Sequence, residues 1–134
     1  MKNRKRFLCI ALMSVLAVTA KAQQYAPESD FSAKIINNGR GVEIIKYTGS
    51  RQTVNIPPMM EWIPITSIGR EAFSDNASLT SVTFQGRITN FGFNYNGIWV
   101  SPFQGDLRDK YLAGGIGTYK TTAPVSEDSV WRKQ

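Results

Sequence analysis

Apolar and polar residues alternate over short stretches along most of the chain, the period-two signature of β-strands with one buried face. Phe31-Ser-Ala33-Lys-Ile35 alternates in this way, and Val42 to Thr48 is a second β-rich run. Between them Asn37-Asn38-Gly39-Arg40-Gly41 supplies residues that tolerate positive φ, so the pair is predicted to form a hairpin. Thr53-Val54-Asn55-Ile56 reads as a third short strand, stopped by Pro57-Pro58. Residues 23–32 are polar and contain proline, which predicts a flexible linker ahead of the ordered domain.

Beyond Pro58 the chain begins to repeat itself. Ile65-Thr-Ser-Ile68-Gly69 recurs as Ile88-Thr-Asn-Phe91-Gly92 at a shift of 23, and Val54-x-Ile56 recurs as Val82-x-Phe84 at 28. Ala72-Phe73 returns as Pro102-Phe103 at 30, and Leu79 as Leu107 at 28. Insertions near residues 57–64 and between Gly92 and Pro102 reconcile these offsets with one basal unit of 23. A period in the twenties carrying Leu79-x-x-Val82-x-Phe84 is a leucine-rich-repeat pattern, with one strand expected per turn and the apolar positions directed into a shared core.

Val54-Asn-Ile56-Pro57, Ile65-Thr-Ser-Ile68-Gly69-Arg-Glu-Ala72-Phe73 and Leu79-Thr-Ser-Val82-Thr-Phe84 together resemble the BspA-like leucine-rich repeats of bacterial surface and exported proteins. The resemblance runs from about Ala33 to Tyr119 and weakens where Pro102 replaces alanine and where Lys110 falls at a position expected to hold a buried aliphatic. It implies a β-rich α/β fold, a short leucine-rich-repeat solenoid of about two to three turns with parallel strands. So few turns leave two open ends, and each needs a cover. The hairpin of Phe31 to Thr48 is expected to cap the first, within a repeat domain spanning residues 33–120. Residues 121–134 are expected as a C-terminal β cap or a tail: Gly117 to Thr121 pairs with Val130 to Lys133 across Ala123-Pro124, placing Trp131 over the last turn, or Trp131 hangs free.

Composition changes the picture mainly at the N-terminus. The sequence holds 134 residues with 16 Lys and Arg against 10 Asp and Glu, a formal net charge of +6. Yet Lys2, Arg4, Lys5 and Arg6 precede an apolar run from Phe7 to Val18, and Ala20-Lys21-Ala22 follows with a small-x-small cleavage pattern. These are the three parts of a secretory signal peptide over residues 1–22, cut between Ala22 and Gln23. Its removal takes five cations and leaves 112 residues close to neutrality, which withdraws the electrostatic case for nucleic acid. No apolar run is long enough for a membrane span once the signal is removed. Export is therefore the expectation, to the periplasm, the cell surface or the medium. Cys9 lies inside the signal, so the mature chain has no cysteine and must be held by its core alone.

Candidate chemistry is sparse. The chain has no histidine, which removes Ser-His-Asp, Cys-His and His-based metal arrangements. Gly114-Gly115-Ile116-Gly117 lacks both the Lys-Ser/Thr of a P-loop and dinucleotide-loop spacing, and reads as a turn. Asp106 with Asp109, and Glu127 with Asp128, are paired carboxylates of the kind that serve acid-base catalysis or hard cations, but Arg108 and Lys110 make the first pair read as a solvated face. No catalytic residue, metal site or cofactor is assigned.

Two features point to binding instead. If Val54, Ile56, Val82 and Phe84 face inward, alternation sends Thr53, Asn55, Ser81 and Thr83 outward as a hydroxyl-rich strand face. The insertion from Phe93 to Val100 carries Tyr95 and Trp99, which serve either as a contact patch or as packing for the core, and Trp62 beside Pro64 is open to the same two readings. The expected function is an exported, non-catalytic protein-protein interaction or adhesion-type module whose partner is a protein or glycan at a cell surface. The alternatives are a carboxylate-based hydrolase of envelope polymers and a vestigial structural fragment.

Overall fold

The computed structural model describes residues 25–134, apart from the side chains of residues 93–95 and 99. The expected signal peptide and its cleavage site at Ala22 and Gln23 lie outside the described residues. The first hairpin joins β1 (Phe31–Ile36) to β2 (Gly41–Tyr47) as an antiparallel pair. Its turn uses Asn37, Asn38 and Gly39 at φ values of 54°, 56° and 86°, the left-handed region for which asparagine and glycine are suited.

The sequence repeats prove to be strand registers. β3 (Thr53–Ile56) lies parallel to β6 (Ser81–Phe84), with Val54 opposite Val82 and Ile56 opposite Phe84. Likewise β5 (Ile63–Ile68) lies parallel to β7 (Asn90–Phe91), with Ile68 opposite Phe91. β2 is parallel to β5 on its other side, with Val42 opposite Ile65. The hairpin expected as a cap thus contributes a strand to the same parallel ladder, and only β1 closes it.

Two corrections follow. The unit supplies two strands, one to each of two sheets, where one per turn was expected: β2 and β3, then β5 and β6. The sheets are also mixed. β4 (Met59–Met60) runs antiparallel to β5, and β10 (Gly117–Lys120) runs antiparallel to β6. β11 (Arg132–Lys133) pairs antiparallel with β10, giving the order β11-β10-β6-β3. The one α-helix among the described residues, α1 (Leu107–Gly114), buries Leu107 and Tyr111 and leaves Lys110 exposed beside Asp106. The Gly115 and Gly117 backbones that follow have positive φ, so this glycine run is a helix-ending turn.

The core lies between the sheets and is unusually aromatic. Tyr47 stacks on Phe73 and Phe73 on Phe103, with interplanar angles of 19° and 17°. These rings come from successive units, and the backbone follows them: Tyr47 N–H donates to the Ala72 carbonyl at 2.8 Å and Phe73 N–H to the Pro102 carbonyl at 2.9 Å. Phe84 packs on Tyr111 with centroids 4.5 Å apart, and the Tyr111 hydroxyl accepts the Ile88 N–H at 2.9 Å. Each large apolar side chain buried here contributes roughly 1.5–3 kcal/mol relative to exposure, which is how residues 25–134, with no cysteine among them, hold together.

Both ends of the described residues join this core. Ala26 is buried and its N–H donates to the Asn55 carbonyl at 2.9 Å, so part of the stretch expected as a linker instead covers the free edge of β3. At the other end Trp131 is 1% exposed, its indole N–H donating to the Gln104 carbonyl at 2.9 Å. The approach is close: Gly105 has φ +75°, and a Cβ there would lie 2.3 Å from the Ser129 carbonyl oxygen.

Candidate functional site

The strand face expected to bind is present, and it is wider than the sequence indicated. Val54, Ile56, Val82, Phe84 and Tyr119 point into the core, which turns the alternate residues of β3, β6 and β10 outward. Thr53 is opposite Ser81 and Asn55 opposite Thr83 on this outer side. The next strand adds Thr118 opposite Thr83 and Lys120 opposite Ser81, and β11 adds Arg132 opposite Lys120. A contact of 2.7 Å between the Thr83 and Thr118 hydroxyls confirms that they share the face.

Exposure along the face is uneven. Thr53 is exposed, and Asn55 and Thr83 are half-buried. Ser81, expected at the surface, is only 7% exposed, because longer neighbours surround a small side chain in the middle of the sheet. Asn55 Oδ1 is buried with no hydrogen-bond partner, a cost of about 1–3 kcal/mol.

The cationic edge stands out. Lys120 and Arg132 are register partners across β10 and β11, and both are exposed. Like charges directly opposite one another on a sheet oppose folding. They flank an open groove of about 580 Å³ whose other walls include Thr122, Ser126, Asp128 and Gln134. Hydroxyls and two cations side by side form a surface suited to carboxylates or other oxyanions.

The insertion at 93–100 folds as a hairpin of its own, β8 (Phe93–Tyr95) with β9 (Ile98–Val100), pairing Tyr95 with Ile98 and Asn94 with Trp99. Asn96 and Gly97 turn it at φ 52° and 82°. Ile98 at its tip is 69% exposed. The Tyr95 and Trp99 side chains lie outside the described residues, so the structure brings the two positions into one hairpin without deciding between contact and core.

A second surface surrounds Trp62. The two-residue turn between β4 and β5 places Glu61 and Trp62 at φ 50° and 69°. Such turns favour Asn-Gly, and left-handed backbone at other residues costs roughly 1–2 kcal/mol each. Trp62 gains little from packing, being 90% exposed. With Tyr25, Met59, Pro57 and Pro58 it walls a cleft of about 500 Å³ whose only charged lining residues, among those described, are Glu28 and Glu61.

The two carboxylates of the Asp106/Asp109 pair have separate partners. Asp106 accepts the Trp131 N–H and lies 3.7 Å from Lys110, while Asp109 lies 3.5 Å from Arg108. Among the described residues no cluster of three or more His, Cys, Asp or Glu could hold a metal ion. Nor is any helix among them long and apolar enough to cross a membrane.

No protein-family model matches the chain, and no curated protein matches it by sequence. Among solved structures, a leucine-rich-repeat protein of T. pallidum is similar, with 18% identity and a TM-score of 0.47. The alignment covers 60% of this chain and 37% of that protein, so the chain spans little more than a third of its length.

Sequence reasoning overlooked Lys120, Arg132, Tyr25 and Glu28. Tyr25 and Glu28 were absorbed into the supposed linker. Lys120 and Arg132 become neighbours only through the β10-β11 register, and the sequence signal was their common place in the alternation of two strands already expected to pair.

Proposed function

We propose that this chain is an exported, non-catalytic binding module of the BspA-like leucine-rich-repeat type, which engages a protein at a cell surface through the outer face of β3, β6, β10 and β11. The observation that carries the reading is the register pairing of Lys120 with Arg132 on a face otherwise made of Thr53, Asn55, Thr83 and Thr118. Two like charges held side by side at a cost to folding are explained by an acidic partner that neutralises both. The repeat reading is supported by the coincidence of the 23- and 28-residue offsets with parallel registers.

The test is capture of partners from envelope and host-surface extracts by the protein lacking residues 1–22. Proteins retained by that chain and lost with Lys120→Glu/Arg132→Glu support the reading; equal retention by both overturns it. A parallel Tyr95→Ala/Trp99→Ala arm asks whether the hairpin contributes. Export is tested separately by the N-terminus of protein recovered outside the cytoplasm, expected to be Gln23.

A further inference from the structure

We propose a second, independent binding site: the cleft beside the Glu61–Trp62 turn receives a lysine side chain from a peptide segment of a partner protein. The cleft has apolar walls, given by the Trp62 and Tyr25 rings with Met59 and Pro58, and acidic corners at Glu28 and Glu61. Glu28 Oε1 accepts the Glu61 N–H at 3.4 Å, which ties the Glu28 carboxylate to the turn, and both acidic residues line the cleft. Among the described residues no cation lines the cleft to neutralise them.

The charge selects the occupant. A neutral apolar segment would crowd two exposed carboxylates without supplying a countercharge. A lysine satisfies each wall in turn: its methylene stem lies along Met59 and the prolines, and its ammonium reaches the carboxylates and the indole face.

Backbone geometry supports a role in recognition. Both turn residues sit at positive φ, and the bulkier of the two projects into solvent. A turn selected for stability alone would carry Asn-Gly. Here conformational strain holds an indole in the open, and such strain points to a role outside folding. The cleft is built from the N-terminal segment and the β4-β5 turn, so it stands or falls separately from the β3-β6-β10-β11 face.

The experiment titrates the protein lacking residues 1–22 with a blocked pentapeptide carrying a central lysine, with its norleucine counterpart, and with a neutral oligosaccharide. Amide resonances of residues 59–63 are followed by NMR. The lysine peptide is expected to shift them saturably, with norleucine at least about fivefold weaker. Glu28→Gln/Glu61→Gln is expected to weaken the lysine peptide by a similar factor. Trp62→Gly is expected to lose binding while its melting temperature rises, a combination that a structural tryptophan would not produce. Equal binding of norleucine, a response to the oligosaccharide alone, or a lower melting temperature for Trp62→Gly would each overturn the proposal.

Discussion

The carboxylate of Asp106 accepts the backbone N–H of Trp131, 25 residues further along, at 2.7 Å. Asp106 immediately precedes α1, so this bond ties the final strand to the start of the helix, and the indole bond to Gln104 adds a second tie. An acid expected on a solvated face is thus a fastening for the C-terminal closure. Asp106→Ala is expected to lower the urea midpoint by the equivalent of about 1–3 kcal/mol, and Asp106→Asn by less, since its amide oxygen still accepts. Equal losses in the two variants would show that the bond is not what matters.

The stacked rings of successive units predict a measurable coupling. Phe73→Ala and Phe103→Ala should each cost about 3–5 kcal/mol. Their centroids are 4.5 Å apart, so a double-mutant cycle should return about 0.5–1.5 kcal/mol of interaction beyond the separate losses. Strict additivity in equilibrium denaturation would refute direct ring contact as a source of stability.

Alkaline pH should destabilise the protein. Burial, reinforced by the charge of Asp30, raises the Tyr47 phenol above its ordinary value of 10.0 despite the Arg51 N–H bond, and burial followed by the Tyr111 phenol raises Tyr119. The unfolded chain then loses these protons first. Stability is fully present below pH 10 and falls as pH rises above it through the higher folded values. Denaturation between pH 8 and 11 should show this decline, and Tyr47→Phe should reduce its steepness. An unchanged slope in that variant would assign the decline to other groups.

Opposed cations make the binding face a place where stability and recognition compete. Lys120→Glu turns the Lys120/Arg132 repulsion into attraction and should stabilise the fold by about 0.2–1 kcal/mol. The same change should reduce capture of the acidic partner. A variant that is both less stable and equally competent in capture would contradict this account.

Asn55 offers a related comparison. Asn55→Thr removes a buried, unpartnered acceptor and installs a better strand former, so thermal denaturation should report a gain of about 1 kcal/mol. A loss would mean that the amide packs more favourably than its missing partner suggests.

Much of the backbone arrangement was legible because repetition at fixed offsets is a statement about register. Val54 matches Val82 and Ile68 matches Phe91 by residue type in the sequence, and these same residues are register partners in the sheets. Mixed strand directions were not legible, because alternation predicts which side a residue faces and says nothing of whether its neighbour runs parallel. Ala26 was hidden by a polar, proline-containing context that masked one edge-covering backbone bond. Ser81 shows a further limit: facing away from the core does not guarantee exposure for a short side chain between longer ones. The candidate surfaces were half visible for a similar reason. Thr53, Asn55, Ser81 and Thr83 lie within repeat strands, whereas Lys120 with Arg132 and Tyr25 with Trp62 meet through tertiary pairing.

Antiparallel β1 on one sheet and antiparallel β10 on the other bear on how such a protein can lengthen. A duplicated unit appended at either terminus would meet a strand running the wrong way and could not continue the ladder without displacing it. New units can be accommodated only between β2 and β10, so variation in repeat number is confined to the interior while both closures are inherited intact. Lengthening between β5 and β10 would widen the distance between the Trp62 cleft and the Lys120/Arg132 edge, making their separation a quantity set by repeat count.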